Sequence, residues 1–176
     1  MRARLLAADN HYSNQLRYAE KPGPLRRLAI FLAHSGDSWF WGLGLLIVWA
    51  VSDAEGKRLV LQLLVGIGVT AVFALTLKRL IRRARPVGDW GALYRRTDPH
   101  SFPSGHAARM AMLVVLAAAL GPAWLGWLLL VWAPLVALAR VAMGVHFLSD
   151  VIGGALLGLV IGLALVAMYA RLWPGA

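Results

Sequence analysis

The sequence contains no cysteine, and this absence excludes disulfide bonds and thiolate metal sites. Acidic residues are also scarce: there are eight, and none of them forms a paired-carboxylate metal site. Charged residues make up only 15% of the chain, against 60% hydrophobic residues. A helix of a soluble protein needs a polar face, so this composition favours a membrane protein.

The N-terminal residues are basic and lack the apolar stretch of a signal peptide. We interpret residues 1–36 as a mildly amphipathic arm on the membrane surface, and residues 37–173 as the transmembrane domain. The net charge of +10 is compatible with nucleic acid binding. In a membrane protein, however, such a charge more often reflects contact with anionic lipid headgroups, so we expect membrane lipids and not nucleic acid as partners.

Three long runs carry no charge: Leu59–Leu77, Met110–Ala139 and Val151–Ala170. Each approaches or exceeds the roughly 20 apolar residues that cross a bilayer as a helix. Gly121-Pro122 divides the second run, because proline cannot continue the preceding helix. The pattern predicts an all-α, multi-pass membrane bundle of about five transmembrane helices plus an N-terminal interfacial helix. The predicted spans are Asp37–Ser52, Leu59–Ile81, a third that begins at Pro103 or Ser104, Ala123–Met143 and Ser149–Tyr169.

Alternation of these spans predicts one functional face. The second span ends on the side where the third begins, where the fourth ends and where the fifth begins. Polar residues from three stretches should therefore meet there: Lys78, Arg85, Ser104, His106, Arg140, His146 and Asp150. Glycines at 154, 158 and 162 lie four apart, a spacing that favours close helix packing within the protomer, with homodimerisation as the alternative.

The first of these stretches is the basic run from Lys78 to Arg85, which alone is typical of a juxtamembrane anchor. The seven-residue separation is two helical turns, so both end residues can project from one helix face. The second stretch is Pro103-Ser104-Gly105-His106. Serine caps helices, and a helix N-terminus with free N–H groups binds phosphate readily, although a capped helix with an interfacial histidine is the alternative.

The third stretch runs from Arg140 through His146 to Asp150. An arginine at the end of an apolar run is costly without a partner. His146 and Asp150 are four apart and would stack on one face of a helix, where the carboxylate would orient the imidazole and raise its basicity. A structural ion pair is the alternative.

Together, Lys-X6-Arg-Pro, Pro-Ser-Gly-His and Arg-X5-His-X3-Asp resemble the motifs of the type 2 phosphatidic acid phosphatase superfamily. The resemblance covers about Leu59 to Tyr169. One departure exists, since the serine that usually precedes the arginine of the third motif is Ala139 here, which should remove only a supporting hydrogen bond.

The resemblance implies that His146 attacks phosphorus to form a phosphohistidine while Asp150 binds its other ring nitrogen. It implies that His106 protonates the leaving oxygen and later activates water. The phosphoryl oxygens would be held by Lys78, Arg85, Ser104, the N–H of Gly105, and Arg140. Because these cations can supply the charge that magnesium supplies elsewhere, we expect neither a metal nor another cofactor.

The substrate is expected to be an amphiphilic lipid phosphate. Candidates are a polyprenyl pyrophosphate, phosphatidylglycerol phosphate, phosphatidate, diacylglycerol pyrophosphate and, as an alternative class, a polyprenyl phosphosugar. The loop before the third span offers residues that could contact the headgroup: Trp90, Tyr94, Arg95, Arg96 and His100.

Two remoter functions are a vanadium-type haloperoxidase and a non-catalytic scaffold or transporter. The uncharged spans argue against the first, because the haloperoxidases of this superfamily are soluble. The intact histidines and aspartate argue against the second. The small size is typical of a bacterial plasma-membrane protein, and the excess of Arg and Lys on the site face favours a cytoplasmic site.

Overall fold

A computed structural model describes residues 2–88, 90 and 98–173, and within these ranges the chain is helical. Its helices are α1 (Arg2–Gln15), α2 (Pro24–Ser35), α3 (Ser38–Val51), α4 (Ala54–Ile81), α5 (Gly105–Leu120), α6 (Ala123–Ala142) and α7 (Leu148–Leu172). A single antiparallel bridge, between Ala84 and His100, closes the described ends of the loop between α4 and α5.

The helix boundaries follow local sequence signals. The Asp53 side chain accepts a hydrogen bond from Gly56 N at 2.9 Å and caps α4. Ser104 caps α5. Gly121 and Pro122 separate α5 from α6, as the proline predicts. These ends lie within a few residues of the predicted spans.

Helix α5 forms the centre of the bundle and packs against α4, α6 and α7. Its buried residues include Met110, Leu113 and Leu116, which have no exposed surface. Large apolar side chains of the outer helices, such as Trp127 and Val160, are instead more than 60% exposed. An apolar outer surface around a packed centre is the arrangement that a lipid environment favours.

A helix occupies each of the five predicted spans, but the helices differ in length. α4, α6 and α7 are long and apolar enough to cross a membrane, whereas α3 and α5 are apolar helices of 14 and 16 residues. At 1.5 Å per residue, α5 covers about 24 Å of the roughly 30 Å hydrocarbon core. Because α5 packs against α4, α6 and α7, much of its length contacts protein instead of lipid, and the shorter length is tolerated.

The glycines of α7 allow it to lie directly on α5. A Cβ at Gly158 would stand 1.9 Å from the carbonyl oxygen of Ala108, and one at Gly154 would stand 2.4 Å from that of Ser104. A Cβ at Gly162 would meet Val115 at 2.7 Å. Helix packing within the protomer therefore uses this row of glycines.

Replacing Gly158 by alanine is expected to destabilise the protein by about 1–3 kcal/mol, because the added methyl meets backbone that cannot move aside. The measurement is the midpoint of thermal unfolding in detergent. Gly68→Ala is the matched control, since a Cβ at Gly68 has nothing within 4 Å and alanine favours the helix. Equal melting temperatures for the two variants would contradict this packing.

The N-terminal arm forms two helices that lie against the bundle. α2 packs on α6, and α1 packs on the start of α7. The Ser13 hydroxyl accepts a hydrogen bond from Leu148 N at 2.8 Å, and Asp9 accepts one from Ser149 N at 3.0 Å. Helix α1 thus adjoins the membrane face on which the predicted site residues meet.

Candidate active site

A cavity of about 260 Å³ lies where the ends of α4, α5 and α6 meet. The predicted residues that line it are Lys78, Arg85, Gly105, His106, Arg140 and His146. Ser104 and Asp150 are buried directly behind this lining, with no exposed surface. The three stretches therefore converge as the alternation of spans predicts.

Lys78 and Arg85 converge through a turn and not through a shared helix face. The sequence interpretation assumed helix through both residues, but α4 ends at Ile81 and Arg82 adopts a left-handed conformation with φ of 51°. The chain then runs back, so that Arg85 reaches the cavity from the loop. Both side chains bind the Asp98 carboxylate, Lys78 through Nζ and Arg85 through Nη2 at 2.8 Å.

Asp98 balances part of the positive charge of the cavity. Burial raises its pKa, but hydrogen bonding and charge from Lys78, together with the charge of Arg85, outweigh burial and hold the pKa below its usual value. Asp98 is thus ionised at neutral pH. A substrate phosphate that takes over these two cations has to compete with this carboxylate.

The Pro-Ser-Gly-His stretch forms the N-terminus of α5. The Ser104 hydroxyl accepts from Ala107 N at 3.5 Å, while Ser104 N donates to the carbonyl oxygen of Asp150 at 2.9 Å. Gly105 is the first residue of the helix and lines the cavity, so its backbone lies beside the cations. The positive end of a helix adds to their attraction for an anion.

His146 lines the cavity and is 2% exposed. Its Nε2 is 3.2 Å from Arg85 Nη1, and its Nδ1 is 3.4 Å from Asp150 Oδ2. A guanidinium has only donors, so its hydrogen bond requires an unprotonated Nε2. This network assigns the ring proton to Nδ1, on the side of Asp150.

The pair His146–Asp150 is not formed on one helix face, as the four-residue spacing suggested. α7 begins at Leu148, so His146 precedes the helix and Asp150 lies in its first turn. Asp150 accepts from Phe147 N at 2.9 Å, which folds the preceding residues back over the helix end. The Nδ1–Oδ2 pair is close enough for an ion pair but is not aligned as a hydrogen bond.

The surroundings of His146 favour its neutral form. Burial lowers its pKa well below the usual value, and the charges of Arg140, Arg85 and Lys78 lower it further. A neutral imidazole retains the lone pair on Nε2 that a nucleophile requires.

His106 also lines the cavity and has a different partner. Its Nε2 is 2.6 Å from Oδ1 of Asp37, the residue that precedes α3. The two histidines thus differ in environment, because His146 faces Arg85 while His106 is bound directly to a carboxylate.

Sequence reasoning missed several charged residues of this region: Asp9, Asp37, Arg83, Asp98 and Arg109. Arg83 bridges Asp9 and Asp150 at 2.6 and 2.8 Å. Arg109 lines the cavity and donates to the carbonyl oxygen of Gly36. A charge inside an apolar helix, one turn after His106, was the available signal for Arg109. The others depend on contacts distant in sequence.

The predicted headgroup residues lie elsewhere or outside the described ranges. Tyr94, Arg95 and Arg96 are outside the described residues. Trp90 packs beside Arg26 of α2, 5.2 Å from its guanidinium carbon, and His100 pairs with Ala84. Neither belongs to the cavity lining, and their contact with a headgroup stays a prediction.

Ala139, which stands where the third motif usually has a serine, lies in apolar surroundings that suit alanine. Ala139 is 5% exposed and belongs to an apolar cluster with Ala29 and Ala33 of α2 and Met143. The side chain thus points towards α2, where alanine packs without leaving a buried hydroxyl to be satisfied.

A protein-family model described as the PAP2 superfamily matches residues 59–174. Decaprenylphosphoryl-5-phosphoribose phosphatase of Mycobacterium tuberculosis is 34% identical over 146 residues, which cover 81% of this chain and 79% of that protein. Undecaprenyl-diphosphatase of Sulfolobus acidocaldarius is 31% identical over 140 residues, or 76% of this chain and 66% of that protein.

The fold is similar to the crystal structure of the PAP2-type phosphatidylglycerolphosphate phosphatase from Bacillus subtilis. The TM-score is 0.78 at 24% identity, over 98% of this chain and 90% of that one. Family motifs, the family match and the shared fold agree over the region that builds the cavity. This chain is a multi-pass membrane protein of the PAP2 superfamily.

Proposed function

We propose that this protein hydrolyses a lipid phosphate or diphosphate at the membrane surface through a phosphohistidine on His146. The observation that carries the proposal is one cavity that combines a buried histidine with three buried cations. Lys78, Arg85 and Arg140 are each at most 6% exposed. Their charge suits the equatorial oxygens of a phosphoryl group in transfer.

The first step joins Nε2 of His146 to phosphorus and breaks the bond from phosphorus to the leaving oxygen. His106 donates a proton to that oxygen, and Asp150 stabilises the charge that develops on His146. In the second step, His106 takes a proton from water as the water oxygen attacks phosphorus. The phosphorus–nitrogen bond breaks, its electron pair returns to Nε2, and inorganic phosphate is released.

The shape of the cavity supports a lipid substrate. Beyond the cations it is lined along α4 by Thr70, Ala71, Ala74 and Leu75. Thr70 precedes Lys78 by two turns of helix, about 12 Å further into the membrane. A phosphate bound by the cations would therefore leave its apolar chain beside these side chains.

We place polyprenyl substrates first among the candidates. Two of the relatives, those described above, are named for polyprenyl-linked phosphates, one a phosphoribose and the other a diphosphate. Phosphatidylglycerol phosphate, phosphatidate and diacylglycerol pyrophosphate remain further candidates.

We also propose that the cavity faces the cytoplasm, because Arg and Lys exceed acids on that face even without Lys78, Arg85 and Arg140. Homodimerisation remains a prediction.

The direct test is phosphate release by the purified protein in detergent from this panel of lipids, with excess EDTA present. We expect turnover of at least one polyprenyl substrate, at the same rate with EDTA as without it. Within the described ranges, no group of three or more metal-ligating side chains occurs, and the cavity cations disfavour a divalent ion. The His146→Gln protein supplies the background rate. No release from any lipid, or a loss with EDTA that magnesium restores, would contradict the proposal.

A further inference from the structure

We propose that Asp37 is a positioning residue for His106: its carboxylate orients the imidazole and stabilises the protonated form that donates to the leaving group. The inference rests on the proposed function and extends it to a residue outside the three motifs. It starts from the 2.6 Å contact between Asp37 Oδ1 and His106 Nε2, which joins residues 69 apart in sequence.

Asp37 occupies a helix-capping position without capping the helix. It directly precedes α3, where an aspartate ordinarily accepts a hydrogen bond from the first-turn N–H groups. Its side chain makes no such bond, whereas Asp53 at the start of α4 does. The Asp37 carboxylate is directed instead to the cavity histidine.

The second carboxylate oxygen is held by residues on either side of Asp37. Oδ2 accepts from Trp39 Nε1 at 3.2 Å and lies 2.8 Å from His34 Nδ1. Burial raises the pKa of Asp37, but hydrogen bonds from His106 and His34 outweigh burial and keep the pKa below its usual value. The carboxylate is thus ionised and fixed in orientation.

The charge of the cavity explains why His106 needs this partner. Arg140 and Arg109 line the same cavity, and their positive charges disfavour protonation of the His106 imidazole. An acid must nevertheless carry its proton before the leaving oxygen departs. Asp37 supplies a local negative charge, while its bond to Nε2 leaves Nδ1 as the atom that exchanges a proton with the substrate.

The two steps use the same pair. Protonated His106 gives the Nδ1 proton to the leaving oxygen as its bond to phosphorus breaks. Neutral His106 then takes a proton from the attacking water, and Asp37 stabilises the imidazolium that results. Removing the Asp37 charge should therefore slow both formation and hydrolysis of the phosphohistidine.

The test is Asp37→Asn in the full-length protein, assayed on phosphate esters whose leaving groups span a range of acidity. kcat/KM reports the steps up to leaving-group departure. For an alcohol leaving group we expect a loss of about 10- to 100-fold, the scale of removing a carboxylate that orients a functional histidine. For an acidic phenol, which departs without a proton, the loss should shrink to under about threefold. The Asp37→Asn protein should accumulate phosphoenzyme with the phenol ester, because hydrolysis of the phosphohistidine becomes slow.

Three further comparisons separate the outcomes. Asp53→Asn removes a comparable helix-end aspartate at the opposite membrane face and should leave kcat/KM and its leaving-group dependence unchanged. Asp37→Glu should recover part of the loss, which a purely steric effect of asparagine would not predict. In a His106→Gln background, Asp37→Asn should cause no additional loss, because the two residues act as one unit.

A uniform loss across all leaving groups, or losses that multiply in the double variant, would overturn the role of Asp37. A failure of the proposed function would give different results from a failure of the role of Asp37. In that case the wild-type protein would release no phosphate from any lipid, or His146→Gln would retain activity.

Discussion

Replacing His146 by glutamine is expected to abolish lipid phosphate turnover, with a loss above about 10⁴-fold. Removing the nucleophile of a covalent mechanism removes the reaction path, and the binding groups that remain give only weak catalysis. Glutamine keeps most of the buried volume, so the fold should survive. The measurement is phosphate release from the best lipid of the panel.

Trapping of the intermediate checks the assignment directly. Wild-type protein incubated with phosphorus-labelled substrate and quenched in alkaline detergent should carry a label that is stable in base and labile in acid, and the His146→Gln protein should carry none. His11→Gln is the matched control, since His11 is an exposed histidine on α1. A labelled phosphoenzyme in the His146→Gln protein would show that another residue is the nucleophile.

Replacing Arg140 by glutamine is expected to lower kcat/KM by about 10²- to 10³-fold. Arg140 is 1% exposed and lines the cavity, so its charge acts on the phosphoryl group with little screening by water. Loss of one preorganised group at a developing oxyanion has an effect of this size. Arg140→Lys should recover only part of the activity, because lysine cannot reproduce the planar donor fork.

The melting temperature of Arg140→Gln is not expected to fall with its activity. Arg140 shares the cavity with Lys78 and Arg85, so removing its charge relieves repulsion in the substrate-free protein. Because Arg140 also makes contacts that glutamine would lose, we expect the melting temperature of Arg140→Gln to stay close to that of the wild type. Arg79→Gln, at an exposed arginine of the same membrane end, should change neither quantity. A lower melting temperature with proportional loss of activity would assign Arg140 a structural role instead.

The convergence of the site could be predicted from the sequence because a bilayer restricts the possible topologies. Apolar runs must cross the membrane as helices, and successive spans must alternate in direction. That restriction alone brings Lys78, His106 and His146 to one face. The serine cap before α5 and the Gly-Pro break after it are local signals, and both mark helix ends in the structure.

The pairing of side chains within the site was decided by the tertiary structure. Local spacing suggested that Lys78 and Arg85 share a helix face and that His146 and Asp150 share another. In the structure, a left-handed residue at Arg82 turns the chain back, and α7 begins only after His146. Such spacing predicts that two side chains lie near each other, but it does not predict how they are oriented. A change of backbone conformation at one residue changes the direction of the chain that follows it.

The partners that distinguish the two histidines also arise from packing alone. Alternation of the spans places Asp37, before α3, and His106, in α5, at the same end of the bundle, but only the packing of these helices brings the two side chains into contact. Asp9 reaches Arg83 only because α1 lies on the start of α7. Which residues share a membrane face follows from the order of the apolar runs, since the length of a helix and the thickness of the bilayer decide it. Which carboxylate meets which cation or imidazole depends on the packing of helices distant in sequence, and local sequence signals carry no information about that packing.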